Sequence, residues 1–437
     1  MNFFLLHLRL NGIKNISNII ELNFYNKVIT KFEPQKSNIK AIYGENGSGK
    51  TAVMTAINIA KKVVLSPGYL QQTETQSLLR EIINKINNEF FIEFEFAQYN
   101  DSILDVYKYS LTLKQNNIGN FEISSEALDV IRSYTKNKIF SNVYTVVDGQ
   151  IKNLDIGKED FNKLKDITMN RLKDMPFVMA ALDEVMHMES MTVTSVSFLL
   201  FFFSVQVYLE EEDMHEIYLV NKILTAIQKR DGKYEQKIMD WVIDKQLYYI
   251  DSKGRDIVEK KDFVNYKKKV DNLEKFLKLI KKDLHSIEVD KRDNGDTYKC
   301  ELILDYGKYK VNREFESTGI KKLIRIYDAL SNADEGGISF IDEMDSNLND
   351  VYFCKLIEYF MHYGNGQLCF TTHNVDPMTI LKKNKNSIDF LSTDNKVTSW
   401  KVTGNAAPDR FYRNGMIENS PFNIDAIDFI GMFGDNA

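Results

Sequence analysis

GENGSGKT, residues 44–51, is the stretch on which the reading of the whole chain turns. It satisfies the pattern GxxxxGK[ST] in full, running from Gly44 through Glu45, Asn46, Gly47, Ser48 and Gly49 to Lys50 and Thr51. Glycines let backbone N–H groups converge on a phosphate, and a helix start just behind them adds positive potential. The flanks agree. Apolar NIKAIY (38–43) reads as a strand, and Thr51–Val64 carries apolar residues at helical spacing. In such a strand–loop–helix unit, Lys50 reaches the β- and γ-phosphates of a nucleotide such as ATP, and the Thr51 hydroxyl ligates Mg²⁺.

A phosphate loop needs a carboxylate that positions the metal at the end of a neighbouring strand. GISFIDEMDSNL (337–348) supplies one. Asp342 is the candidate that holds Mg²⁺ through water, and Glu343 is placed to orient or deprotonate an attacking water. Downstream, GQLCFTTHN ends an apolar run in Thr371, Thr372 and His373. A histidine there can hydrogen-bond a γ-phosphate. Upstream, FESTGIKKLIRIYDAL places Ser317, Thr318 and Gly319 at a helix start, which offers a hydroxyl and a backbone N–H as a second anion site.

Bulk properties set limits. The chain has 437 residues, more than one ordinary domain, with 43% apolar and 27% charged residues and a net charge of −6. An acidic balance gives no global reason for tight nucleic-acid binding. The cysteines (Cys300, Cys354, Cys369) form no CxxC pair, and an odd, sparse count suits a reducing compartment. The opening MNFFLLHLRL alternates like a strand and lacks the basic start and cleavage site of a targeting segment. SMTVTSVSFLLFFFSVQVYL (190–209) is free of charge and long enough to span a bilayer, but its flanks are acidic and it contains several Ser and Thr residues. A buried helix is the expectation there, in a cytoplasmic protein that does not enter membranes.

Strand signals occur at 3–10, 20–25, 39–43, 90–100, 106–114 and 142–147, and return after the turn RDNGD (292–296). Between them the character is helical. Phe263, Tyr266, Val270, Leu273, Leu277, Ile280, Leu284 and Ile287 form a heptad seam. Nine lysines face four acids between residues 260 and 285. A helix packed on its neighbours is the favoured reading. A short protruding coiled coil that binds a partner or nucleic acid is the alternative. Strand–helix alternation at both ends with a helical centre predicts one α/β sheet interrupted by an insertion. The alternating runs 90–100 and 106–114 predict an antiparallel ribbon, so that the expected fold is an α/β mixed sheet with flanking helices and an antiparallel β subdomain. Its expected parts are 1–165, a helical insertion over 166–295 with a candidate coiled coil at 263–287, and 296–437.

The order of these motifs resembles the ABC-type ATPase heads of the SMC and RecF group. More closely, GENGSGKT, STGIKKL, DEMDSNL and FTTHN resemble the stand-alone bacterial ATPases of that group found in phage defence, such as the ATPase components of PARIS and Septu. The closing FYRNGMIENSPFNIDAIDF is similar to their C-terminal tail. The resemblance covers roughly residues 1–160 and 296–437. It implies that two protomers sandwich ATP, with Ser317 and Gly319 acting on the neighbour's nucleotide and Asp345 and Ser346 along the seam. A homodimer or higher homo-oligomer is therefore expected, in which hydrolysis is a sensor or switch in abortive infection.

Two positions depart from the family pattern. Ile320 stands where a polar residue is usual, and Asn349 where histidine is frequent. Gln98 and Gln150 are both candidates for the glutamine loop. The six histidines show no zinc or HNH spacing, and the 64 residues after His373 are mostly accounted for by a short hairpin and the tail, so destructive chemistry is expected from a separate effector, a nuclease or toxin. A RecF-like DNA-repair or DNA-clamping ATPase is the alternative function, with nucleic acid as its partner. The long interval between the phosphate loop and Asp342 argues against a transporter subunit.

Overall fold

The computed structural model describes residues 2–25, 32–100, 104–135, 138–209, 256–384, 386–401 and 407–417. Three sheets organise them. The first holds β1 (Asn2–Asn11) and β2 (Ile20–Asn23). The strand β3 (Ile39–Tyr43) comes next in sequence but belongs to a second sheet. The first sheet resumes with β4 (Glu89–Tyr99), β5 (Leu104–Gln115), β6 (Phe121–Ile131), β7 (Ser141–Val147) and β8 (Gln150–Leu154). It is antiparallel throughout, in the order β2-β1-β4-β5-β6-β7-β8.

The second sheet joins β3 to β9 (Val205–Tyr208), β14 (Ile338–Ile341), β15 (Gln367–Thr371), β16 (Ile388–Leu391) and β17 (Val397–Ser399). Its order is β17-β16-β3-β15-β14-β9, parallel except for β17. A small third sheet contains β10 (Asp256–Glu259), β11 (Ser286–Asn294), β12 (Thr297–Asp305) and β13 (Lys310–Asn312).

Five helices support the site: α1 (Lys50–Leu65), α2 (Glu189–Ser204), α3 (Phe263–Ile280), α4 (Thr318–Asp334) and α5 (Asp350–Tyr363). They cover both faces of the parallel sheet, which is why every residue of β3 is buried and its sequence reads as a nearly unbroken apolar run. Strand alternation splits that run between two cores. Ile42 joins the core shared with α1, α2 and the antiparallel sheet. Ile39, Ala41 and Tyr43 face the core shared with α3, α4 and α5. Lys40 is the exception, buried but paired with Asp389 of β16 at 2.5 Å.

The charge-free run 190–209 is a buried helix up to Ser204, with Phe201 stacked on Phe96 at 3.8 Å. No helix among the described residues is long and apolar enough to cross a membrane. The run does not stay helical to its end. Val205 and Val207 bring β-branched residues, and residues 205–208 become β9, parallel to β14. The expected helical insertion over 166–295 is corrected accordingly: β9, β10 and β11 fall within it, and residues 210–255 lie outside the described residues.

The heptad seam is also corrected. Helix α3 ends at Ile280, and Ile287 belongs to β11. Tyr266, Val270, Leu273 and Leu277 are buried in the core with Ile320, Leu323 and Ile324 of α4. The seam is therefore consumed within the chain, and no protruding coiled coil forms over 263–287.

Candidate functional site

Three neighbouring parallel strands of the second sheet end side by side at their carboxyl ends, where α/β proteins characteristically bind ligands. Strand β3 runs into Gly44, β15 into Thr371–His373, and β14 into Asp342. Strand β15 lies between the other two, pairing Thr371 with Ile42 on one side and Phe370 with Ile341 on the other. With neighbouring strands ~4.8 Å apart, the phosphate loop and the acidic pair face each other across the width of one strand.

The loop has the backbone its sequence requires. Gly47 and Gly49 adopt left-handed φ values of 80° and 106°. A side chain at Gly44 would lie 2.3 Å from the Leu391 carbonyl and 2.5 Å from Ser48 Oγ, so that position excludes one. Helix α1 starts at Lys50 with Gly49 at its cap, which leaves the first-turn N–H groups aimed at the loop. Lys50 Nζ donates to the carbonyls of Gly44 at 2.9 Å and Glu45 at 3.0 Å. Its ammonium is held where the loop encloses it. Asn46 and Gly47 are exposed at the tip, and the buried Ser48 Oγ has no hydrogen-bond partner among the described residues. Asn15 braces the tip by donating to the Gly47 carbonyl at 2.5 Å.

Opposite the loop, Thr371 joins the two acidic residues. Its hydroxyl donates to Asp342 Oδ1 at 2.6 Å and accepts the Glu343 N–H at 2.8 Å. Asp342 is buried, while Glu343 is partly exposed and takes a left-handed φ of 45°. That conformation turns the chain sharply at the strand end, and the Thr371 bond compensates for it. Burial lowers the pKa of Lys50, and the carboxylates of Asp342, Glu343 and Asp345 oppose that shift. Burial followed by the Lys50 charge lowers the pKa of His373, with the same three carboxylates opposing. Lys50, His373, Asp342, Glu343 and Asp345 thus form one electrostatic cluster, with His373 neutral at pH 7.

The Ser317–Gly319 turn caps α4, the Ser317 hydroxyl accepting the Ile320 N–H at 3.4 Å. A Cβ on Gly319 would lie 2.7 Å from the Asn347 carbonyl, so this turn packs on the Asp345–Asn347 turn of its own chain. Asp345 Oδ1 and Ser346 Oγ are buried there without hydrogen-bond partners among the described residues. Ile320 and Asn349 have local structural roles: Ile320, on α4, is buried in the core, and Asn349 caps α5 by accepting the Val351 N–H at 3.0 Å. Neither glutamine candidate bonds to this cluster. Gln98 accepts from Tyr107, and Gln150 accepts from Lys152 on an exposed strand.

Sequence reasoning gave no role to three residues that hold the cluster in shape. Thr371 was visible only as a polar residue ending a strand. Asn374, whose N–H donates to Asp345 Oδ2 at 3.2 Å, closes the FTTHN motif, which does not show this contact. Asn395, with a left-handed φ of 63°, accepts the N–H groups of Ser17 at 2.9 Å and Asn18 at 3.3 Å and donates to the Asn15 carbonyl at 3.2 Å. Its place in the turn TDNK was the only sequence hint.

The donor set suits a nucleotide with its metal. Glycine N–H groups and Lys50 complement phosphate, and a threonine hydroxyl with a carboxylate offers the hard oxygens that Mg²⁺ takes, leaving water and phosphate to complete the shell. No group of three or more His, Cys, Asp or Glu residues among those described forms a self-contained metal site.

The sequence matches no protein-family model and no curated protein. Among solved structures it is similar to an SMC head bound to the C-winged helix domain of ScpA, at 14% identity and a TM-score of 0.43, covering 91% of this chain and 98% of that one. It is also similar to the SMC head domain from Thermotoga maritima, at 13% identity and a TM-score of 0.35, covering 91% of this chain and all of the other. Its own architecture is an α/β parallel sheet beside an antiparallel one, with the glycine-rich loop 44–49 between β3 and α1. Its structural neighbours are heads of the SMC type.

Proposed function

We infer that the chain binds and hydrolyses ATP as an ABC/SMC-like head, and that nucleotide-driven pairing of two copies is its output. The observation that carries this is the cluster of Lys50, Asp342, Glu343 and His373 around one end of the parallel sheet, with Thr371 tying both carboxylates to the intervening strand. Gly44–Gly49 would cradle the phosphates, and Lys50 would neutralise the β- and γ-oxygens. Thr51 and Asp342 would hold Mg²⁺, which when bound spreads the charge that develops on the transferred phosphoryl group. Glu343 is set to orient the attacking water and take its proton, and neutral His373 can hydrogen-bond the terminal phosphate. Ser317 and Gly319 would complete the nucleotide site of a second copy.

The role of this switch is read as anti-phage defence through abortive infection, with a separate nuclease or toxin as effector. The support is the similarity of GENGSGKT, STGIKKL, DEMDSNL and FTTHN to the ATPases of such systems. The DNA-clamping alternative draws on the lysines between 260 and 285. Six of the nine, Lys260, Lys261, Lys267, Lys269, Lys278 and Lys281, each pair with an acid, which weakens that face as a phosphate-binding surface. Turnover assays with Mg²⁺ test the enzymatic part. Lys50→Ala should abolish ATP binding, and Glu343→Gln should bind ATP while losing roughly 10²-fold or more in turnover. Full turnover by Glu343→Gln would remove it as the base. Plaque counts on cells expressing the wild type or Lys50→Ala with its neighbouring genes test the defence role, and equal counts would contradict it.

A further inference from the structure

Arg313 is almost wholly enclosed, yet it carries a charge. Its two terminal nitrogens donate to both oxygens of Asp256, at 3.0 and 2.9 Å. The Tyr266 hydroxyl donates to the same carboxylate at 2.5 Å. Asp256 opens β10, Tyr266 lies on α3, and Arg313 starts the single 3₁₀ turn Arg313–Phe315 between β13 and α4. Three elements therefore converge on one carboxylate. Ser317 lies four residues after Arg313, and the intervening chain is pinned at successive steps. Asn312 accepts the Glu314 N–H at 3.0 Å, and Glu316 accepts the Tyr306 hydroxyl at 2.6 Å and the Ser317 N–H at 3.1 Å. Beyond it, Gly319 rests against the Asn347 carbonyl.

A buried ion pair is a poor way to add stability, because desolvating two charges offsets most of their attraction. Its best-attested use is to fix a register. A guanidinium held by two parallel bonds fixes direction as well as distance, which an apolar pair or a lysine would not. The segment it fixes here leads directly into the Ser317–Gly319 turn.

We propose that Arg313, held by Asp256 and Tyr266, is a positioning residue that aims the Ser317–Gly319 turn at the nucleotide bound by a second copy of the chain. This rests on the composite-site reading of Ser317 and Gly319. Arg313 itself touches no nucleotide, so its loss should leave the variant's own phosphate loop intact.

Mixing experiments on the full chain separate this from a fold defect. Arg313→Met and Asp256→Asn should each lower turnover at saturating ATP by roughly tenfold or more, with affinity for a fluorescent ATP analogue unchanged. Mixed with inactive Lys50→Ala, each should regain turnover that neither partner has alone, because one site then combines an intact phosphate loop with an intact turn. Ser317→Ala mixed with Lys50→Ala is the control. If the control recovers and the Arg313 and Asp256 variants do not, or if they lose nucleotide affinity, the positioning role is overturned while the composite site stands. If the control also fails, the composite site itself falls and takes this inference with it. Should Arg313→Met not fold, Arg313→Lys and Tyr266→Phe decide. A lower turnover at unchanged nucleotide affinity supports the role, and wild-type turnover in both overturns it.

Discussion

Thr371 shows how much of the site depends on a residue whose role its motif, FTTHN, does not reveal. Its hydroxyl serves Asp342 as a donor and the Glu343 backbone as an acceptor. Thr371→Val keeps the volume and removes both bonds, leaving buried polar groups unpaired at a cost of about 1–3 kcal/mol. Chemical denaturation should show that loss, and turnover should fall while nucleotide affinity, which rests mainly on Lys50 and the glycines, changes little. At the same scale, His373 gives a pH dependence with a definite sign. Its folded pKa lies below the ordinary 6.5, so in the window beneath 6.5 the unfolded chain binds more protons than the folded one. Stability therefore rises with pH through that window and is lost on acidification. Melting curves between pH 5 and 7 should show a shallower slope for His373→Asn than for the wild type. These residues differ in how legible they were. Lys50, Asp342, Glu343 and His373 announce themselves because each sits in a local pattern. Thr371 and Asn395 act through partners 28 to 380 residues away, and no local pattern encodes such contacts.

Among elements, β6 and its neighbours carry a second titrating group. Glu126 is buried on β6, accepting the Tyr144 hydroxyl at 2.7 Å and the Phe177 N–H at 2.9 Å. Burial raises its pKa from 4.5 to about 7, against the lowering effect of those bonds. Because the folded value exceeds the unfolded one, the native state holds the extra proton between these limits. That contribution is fully present below pH 4.5 and is lost as pH rises through 7. Glu126→Gln keeps the shape without the charge. Its stability relative to the wild type should improve between pH 5 and 8 by an amount of order 3 kcal/mol, and a flat difference across that range would contradict the assignment. The elements also show where periodicity misleads. The run 190–209 gave only the β-branched Val205 and Val207 as a hint that its last residues leave the helix, because a fully buried helix and a fully buried strand look alike in an apolar stretch. What separates them is tertiary: β14 offers an edge for Val205–Tyr208 to pair with. The seam along α3 likewise left a protruding coiled coil open as the alternative to a packed helix, because spacing alone fits both. Only the position of α4 shows that its apolar face is already covered.

For the whole molecule, two features bear on function. The antiparallel sheet, α1 and α2 share one core, and α3, α4 and α5 share another, on opposite faces of the parallel sheet. Helix α1, which follows the glycine-rich loop, packs its apolar residues into the first, and α4, which follows the largely exposed Ser317–Gly319 turn, packs its own into the second. Both ends of the proposed sandwich are thus built on separately packed helices, and the α/β class with an antiparallel ribbon was legible from motif order and strand alternation, whereas the division into three sheets was not. The central claim is that ATP joins two copies through these surfaces. The most direct measurement is molar mass by light scattering for Glu343→Gln, with and without ATP and Mg²⁺, under conditions where nucleotide binding is confirmed. The mass should double from monomer to dimer on adding ATP, and Ser317→Ala introduced into the same variant should prevent it. A monomer that binds ATP and keeps its mass would contradict the account.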